Sequence, residues 1–300
     1  MQSRVSGVAN LGEILATAAA LCWAVGVILF KKAGERLPPL SLNLFKGVVG
    51  IALLTPTIPL AGETLFPAIP ASTWALMALS GILGITISDT MFFVSLEKLG
   101  AGLTAVVDTS YAPILVGLAF IFLGERMGLA DLGGAGLILA GLVIGSVSRP
   151  PPGKSRVDLV VGALIGVGGI FVMGVSVIII KGELDELPML WSTWVRLAAG
   201  TLGIVPIILW RRGRSALIGV LRPASSWRWA VPGAFFGTYL AMACWIGGMK
   251  YTDVSRAALL NQLSAIFIFA LATVFLREPI TLRRVVAVCL ALVGAVIVVV

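Results

Sequence analysis

A chain of 300 residues that is 59% hydrophobic and 12% charged, with a mean hydropathy of +1.06, is not a soluble globule, because such domains carry about 25% charged residues. The net charge of +8 comes from 22 basic residues scattered through short connections, which argues against a nucleic-acid partner and for a membrane-orientation signal. Histidine is absent and the three cysteines (Cys22, Cys244, Cys289) lie inside apolar runs, so neither a metal site, a disulfide framework nor a cofactor is expected, and proton chemistry falls to carboxylates.

Apolar runs of bilayer length, about 20 residues, fall at roughly 11–30, 40–60, 72–96, 102–123 and 130–147. A second set falls at roughly 158–180, 188–210, 228–249, 254–276 and 281–300. They predict an all-α integral membrane protein of ten transmembrane helices. The first run has basic Arg4 ahead of it, as a signal peptide would, but no convincing small-x-small cleavage site follows and the run has a counterpart in the second half. It is read as a retained helix. Within the fifth run, Gly133, Gly134, Gly136 and Gly141 form the clearest stripe for close helix packing. Residues 149–156, RPPPGKSR, carry three consecutive prolines that cannot continue a helix, and so divide a first unit, 1–148, from a second, 157–300. Tryptophans 74, 191, 194, 210, 227 and 229 lie near run ends and are assigned to interfacial belts.

The two units repeat one another. At an offset of 153, residues 92–125 fall on 245–278 without a gap, matching Ala105 with Ala258, Ala112 with Ala265, Phe122 with Phe275, Leu123 with Leu276 and Glu125 with Glu278. Nearer the start of each unit the offset is 150, which pairs Lys31 with Lys181, Lys46 with Arg196 and Gly50 with Gly200. Five helices is an odd number, so the second copy crosses the membrane in the opposite sense, giving two inverted five-helix repeats. Each fourth helix closes in an apolar run ending LGER (123–126) or LREP (276–279). With two five-helix halves, this resembles the EamA-type transporters of the drug/metabolite transporter superfamily. The resemblance implies a ten-helix bundle, a central cavity lined mainly by helices 1, 3, 4, 6, 8 and 9, and export or exchange of amino acids, other metabolites or drugs. It also implies cytoplasmic termini. Basic residues concentrate in the odd-numbered connections, however, and the positive-inside rule then puts both termini outside. We follow the charge count.

Four ionisable residues interrupt the apolar runs: Lys46, Asp89, Asp108 and Arg196. Each costs about 2.5–3.5 kcal/mol at a helix centre on insertion scales, so each should face the bundle interior. The hairpin between the third and fourth helices turns near Leu99, ten residues after Asp89 and nine before Asp108, so both carboxylates share a depth of roughly 15 Å of helix. Lys46 can extend its stem toward either. Such a group is a neutralising ion pair, or else a substrate and proton site in which two neighbouring carboxylates cannot both ionise cheaply, making Asp89 and Asp108 candidates for proton coupling. In the second unit Asp108 becomes Asn261, Thr109 becomes Gln262 and Asp89 becomes Met242, so polarity is kept while charge is lost. Arg196 then meets no mapped acid. Glu183, Asp185 or Glu186 would reach back to it, or it would offer its planar fork to an anionic group on the substrate.

Tyr111, Tyr239 and Ser264 could complete the lining, and Trp23 and Trp245, away from helix ends, could wall a flat or apolar ligand. Glu125 and Glu278, next to Arg126 and Arg277, are read as local pairs at helix ends. Pro113 lacks a counterpart at Ile266 and is expected to kink one half alone. The leading function is a secondary transporter, export favoured, for a small-molecule substrate, with the lipid bilayer as its surroundings, H+ as a possible coupling ion, and a plasma or bacterial inner membrane as its place. A cationic drug exporter would want an acid in the first helix, where only Glu13 stands, at the boundary. A membrane enzyme on lipid-linked substrates could use Asp89 and Asp108 as acid and base, but the repeat and the missing histidine argue against an enzyme. No Walker A sequence supports ATP-driven pumping.

Overall fold

In a bilayer no water satisfies exposed backbone groups, so apolar runs of this length must satisfy them internally and fold as helices. A computed structural model describes residues 2–124, 128–146, 155–220, 225–276 and 282–299, and among them every regular element is helical. The first half runs α1 (Gln2–Gly34), α2 (Pro39–Leu60), α3 (Ala71–Gly81), a π-helical stretch (Ile82–Asp89), α4 (Thr90–Asp108), α5 (Tyr111–Leu123) and α6 (Leu129–Ser146). After it come α7 (Arg156–Ile178), α8 (Lys181–Leu184), α9 (Met189–Val220), α10 (Trp227–Ala234), a second π-helical stretch (Phe235–Leu240), α11 (Ala241–Tyr251), α12 (Val254–Asn261), α13 (Leu263–Phe275) and α14 (Leu282–Val299). Seven helical segments among the described residues are long and apolar enough to cross a membrane: Leu11–Gly34, Pro39–Leu60, Ala71–Ala105, Arg156–Ile178, Met189–Arg211, Trp227–Tyr251 and Val254–Phe275. The protein is an integral, multi-pass membrane protein.

The helices pack as pairs: α2 along α9, α1 along α11, α4 against α7 and α6 along α14. Several close approaches are made by glycines outside the expected stripe. A methyl group on Gly26 of α1 would stand 2.5 Å from Cα of Gly237, and one on Gly81 would collide with the backbone of Arg196 on α9. Among the described residues Gly133 and Gly136 have no atom within 4 Å of that position and are exposed, whereas Gly134 and Gly141 of the same stripe are buried. The tryptophan belt also needs correction. Trp210 is exposed, whereas Trp191 is fully buried, its Nε1 donating to the Leu65 carbonyl at 3.1 Å.

Three local features position the site. The third-to-fourth hairpin turns at Gly100, whose φ of 78° a side chain would resist. The fourth run of the first half is broken at Thr109 and Ser110, one turn before Pro113, which has no N–H to bond the Thr109 carbonyl. The ninth run is broken as well, at Gln262, where Gln262 N–H donates to Leu259 at 3.1 Å and Ala265 N–H to Gln262 at 3.0 Å. Interruption of the helix is thus not confined to the half with proline; tight i→i−3 bonds interrupt the second helix without one. Of the linker, 149–154 lies outside the described residues, as do Glu125, Arg126, Arg277 and Glu278. Ser155 caps α7, its hydroxyl accepting from Asp158 N–H at 3.1 Å while the Asp158 carboxylate accepts from Ser155 N–H at 3.3 Å.

Candidate functional site

Both broken helices and both π stretches converge on one cavity of about 110 Å³. One buried water needs about 10–15 Å³ by the same measure, so there is room for several waters or a small solute. Lys46, Asp89, Asp108 and Arg196 all line it. On one wall Lys46, 1% exposed, donates from Nζ to Asp89 Oδ2 at 2.5 Å and stands 5.7 Å from the centre of the Phe93 ring. Asp89 is the last residue of the first π stretch, and α2 is held to that stretch by Asn43, whose amide donates to the Ile85 carbonyl at 2.7 Å and to Thr90 Oγ1 at 2.9 Å. The pair is therefore fixed from both sides, and of the two carboxylates the sequence offered it is Asp89 that Lys46 takes.

Arg196 is fully buried and lies against the same π stretch, where a methyl group on Gly84 would stand 3.1 Å from one Nη. Its Nη atoms reach the Ser176 carbonyl and hydroxyl at 3.4 Å each, its Nε has no acceptor, and Cζ stands 5.4 Å from the centre of the Trp245 ring. Two of the three acids expected to reach back are otherwise engaged: Glu183 accepts from Thr73 at 3.1 Å, and Asp185 accepts from Lys181 at 2.8 Å. Trp245 Nε1 donates to the Tyr111 hydroxyl at 2.7 Å. Asp108, at the broken end of α4, lines the cavity and makes no hydrogen bond or ion pair with any described residue.

Trp23 lines the cavity with Phe92 against it, ring centres 5.1 Å apart, and Asn261 lies at the broken end of α12. Tyr239 and Gln262 are not part of the lining. Tyr239 instead shares a 3.0 Å hydrogen bond with Thr57 and packs on Phe235, and Gln262 is buried at the helix break. Phe92, Ile170, Met173 and the small faces of Gly166 and Gly169 belong to the lining and were not singled out by sequence. Ser176, which steadies Arg196, was also missed. A signal existed, since the 150-residue offset sets Ser176 on Gly26, and both meet a π stretch glycine, Gly84 and Gly237 respectively.

One end of the bundle is cross-linked by polar contacts. The Glu63 carboxylate accepts from the Leu190 and Trp191 N–H groups, at 3.4 and 2.8 Å, in the first turn of α9. Lys250 donates to the carbonyls of Leu184, Asp185 and Leu187 at 3.0, 2.8 and 2.6 Å, drawing α11 onto the α8–α9 connection.

The EamA-like transporter family model matches residues 10–147 and again 160–300. The chain belongs to the EamA-like transporter family. Two matches in tandem cover nearly the whole EamA chain, including every cavity residue named above. A curated relative, "Uncharacterized transporter YvbV" of Bacillus subtilis (strain 168), is 22% identical over 270 residues, spanning 87% of this chain and 83% of its own. A solved crystal structure of a protein is similar in fold at a TM-score of 0.76, with 20% identity and 95% of each chain covered. This EamA protein is thus a membrane transporter by family, with its charged residues gathered where its broken helices meet.

Proposed function

We propose that the protein is a secondary active transporter that moves a small metabolite across a plasma or bacterial inner membrane by alternating access, built as ten crossings in two inverted repeats, 1–148 and 157–300. The observation that carries this reading is the cavity itself, where broken helices from both halves bring buried charges together as carrier folds do at a midplane site. The family match in tandem supports the repeat, as do π stretches beginning at Ile82 and Phe235, the same 153-residue offset that aligns the two hairpins. Amino acids and related compounds come first as substrates, with export favoured, and Asp89 and Asp108 are the groups through which H+ would couple.

The alternatives fit less well. Glu13 is engaged by Arg256 at 3.7 Å and does not line the cavity, which removes the acid that a cationic drug exporter would use. Asp89 is tied to Lys46, which leaves Asp108 without a free partner for acid/base catalysis on a lipid-linked substrate. The test is flux in proteoliposomes across a panel of amino acids, organic acids and amines, with and without a pH gradient. Protein-dependent flux of at least one solute is expected; no flux of any solute, alongside turnover of a lipid-linked compound, would replace this reading with the enzymatic one.

A further inference from the structure

We propose that the cavity holds a small zwitterion, its carboxylate on the Arg196 guanidinium and its ammonium on the Asp108 carboxylate; this rests on the transport reading and deepens it. Of the four ionisable side chains lining the cavity, two satisfy each other and two do not. Lys46 and Asp89 are closed on one another at 2.5 Å. Arg196 is fully buried, has no carboxylate within ion-pair distance among the described residues, and leaves Nε without an acceptor. Asp108 has no donor at all among them.

These two charges of opposite sign share a cavity and still do not pair. The line of contacts from one to the other runs through Trp245, which lies under the guanidinium, and through Tyr111, which accepts from the indole and stands three residues on from Asp108 across the helix break. Having accepted from Trp245, the Tyr111 hydroxyl keeps its own proton to donate. Isolated charges in a desolvated site are costly, and each rewards a ligand group of opposite sign. A monoanion would complement Arg196 and leave a bare carboxylate at Asp108. A cation would do the reverse, and a neutral solute would leave both. Only a ligand with both charges completes the site. The guanidinium fork suits the two oxygens of a carboxylate, and its Nε is without an acceptor. Between and around the poles the wall is apolar, with Trp23 on Phe92, Ile170, Met173 and Met242, so the ligand carries an apolar body.

The experiment is calorimetric binding to the purified full chain in detergent, using three carbon skeletons (alanine, leucine, phenylalanine), each as the amino acid, its amide, the deaminated acid and the decarboxylated amine. For at least one skeleton the amino acid should bind about tenfold or more tighter than its three analogues, as expected when removal of one charge leaves its partner buried and unpaired. Asp108→Asn should erase the advantage over the deaminated acid, and Arg196→Gln the advantage over the amine and the amide, each variant leaving the other comparison in place. Arg196→Lys should recover charge selectivity without full affinity. Equal binding of amino acid and analogues, uniform weakening of all four compounds by both variants, or failure of every amino acid to bind overturns the proposal. The wild-type series decides even where a variant does not fold. Flux of a cation, an anion or a neutral solute with no preference for zwitterions sinks this inference and leaves transport standing, whereas absence of all flux sinks the transport reading itself.

Discussion

Lys46 and Arg196 occupy matching places 150 residues apart, both are essentially without solvent contact, and the protein treats them in opposite ways. Lys46 is neutralised by a carboxylate on the neighbouring π stretch. Arg196 meets Met242 in the sequence position where its acid would be, and settles for the Ser176 oxygens at 3.4 Å and the face of Trp245. Side by side, the two show that one scaffold position can make a buried cation either a strut or a receptor. The choice is made by a single residue on the adjoining helix.

The largest expected effect comes from breaking the strut. Removing one partner of a buried pair leaves the other charge uncompensated, so Lys46→Met and Asp89→Asn should each destabilise the protein by about 3–5 kcal/mol. The double replacement with apolar residues should recover most of that loss, as thermal unfolding in detergent would reveal. Single variants with wild-type melting would mean the pair carries no structural load.

Arg196 should behave in the contrary way. With no carboxylate in ion-pair contact among the described residues, Arg196→Met should cost far less melting temperature than Lys46→Met, while flux of any carboxylate-bearing solute falls by about tenfold or more. Destabilisation equal to that of Lys46→Met would put the two cations in one class. Met242→Asp sharpens the same contrast by supplying the missing acid: Arg196 should close on it, and flux should fall although the protein melts later. Retained flux in that variant would detach Arg196 from the ligand.

A smaller effect is expected from Asp108→Asn, which should flatten the pH dependence of flux while a control at Asn261→Gln keeps it. An unchanged pH profile would remove Asp108 from coupling. The smallest is at the cross-linked end of the bundle, where Lys250→Met removes three hydrogen bonds to one connection from a half-buried side chain that water can reach. Because water does replace them there, the expected readout is faster proteolysis near 184–187 with little change in melting; equal cleavage rates would show that the connection is held by other means.

Much of this was legible in the sequence because membrane insertion makes a few residues conspicuous. Lys46, Asp89, Asp108 and Arg196 each stand out against an apolar background, and all four line the cavity. Counting residues from the turn near Leu99 put the two aspartates at one depth, and Gly100 does turn the chain there. Contacts between helices were harder to read. Which aspartate Lys46 takes depends on how α2 is rotated against the π stretch, a matter settled by Asn43 and by glycine contacts that leave no periodic trace. Tyr239 illustrates the same limit: its hydroxyl had two fates available, and a neighbouring threonine on α2 captured it. The stripe on α6 was half right: Gly134 and Gly141 are buried and Gly133 and Gly136 exposed, because small residues permit close packing without requiring it. The break at Gln262 escaped notice because proline was the only helix breaker sought, although the polar residues at both breaks marked the spot.

The first π stretch ends on Asp89 and begins directly after Gly81, which is wedged against the backbone of α9. A residue in an α-helix turns by about 100° relative to the one before it, so widening a stretch to π geometry resets the angular phase of everything beyond it. The wedged end and the charged end of this membrane crossing are thereby set at independent angles. Were 82–89 to relax to α geometry at its full length, the extra residue that the wide turn absorbs would add about 100° of rotation and swing Asp89 away from Lys46 with the wedge undisturbed. The strut is thus a matter of angular setting as much as of composition, and the chain could lose it without losing either charge.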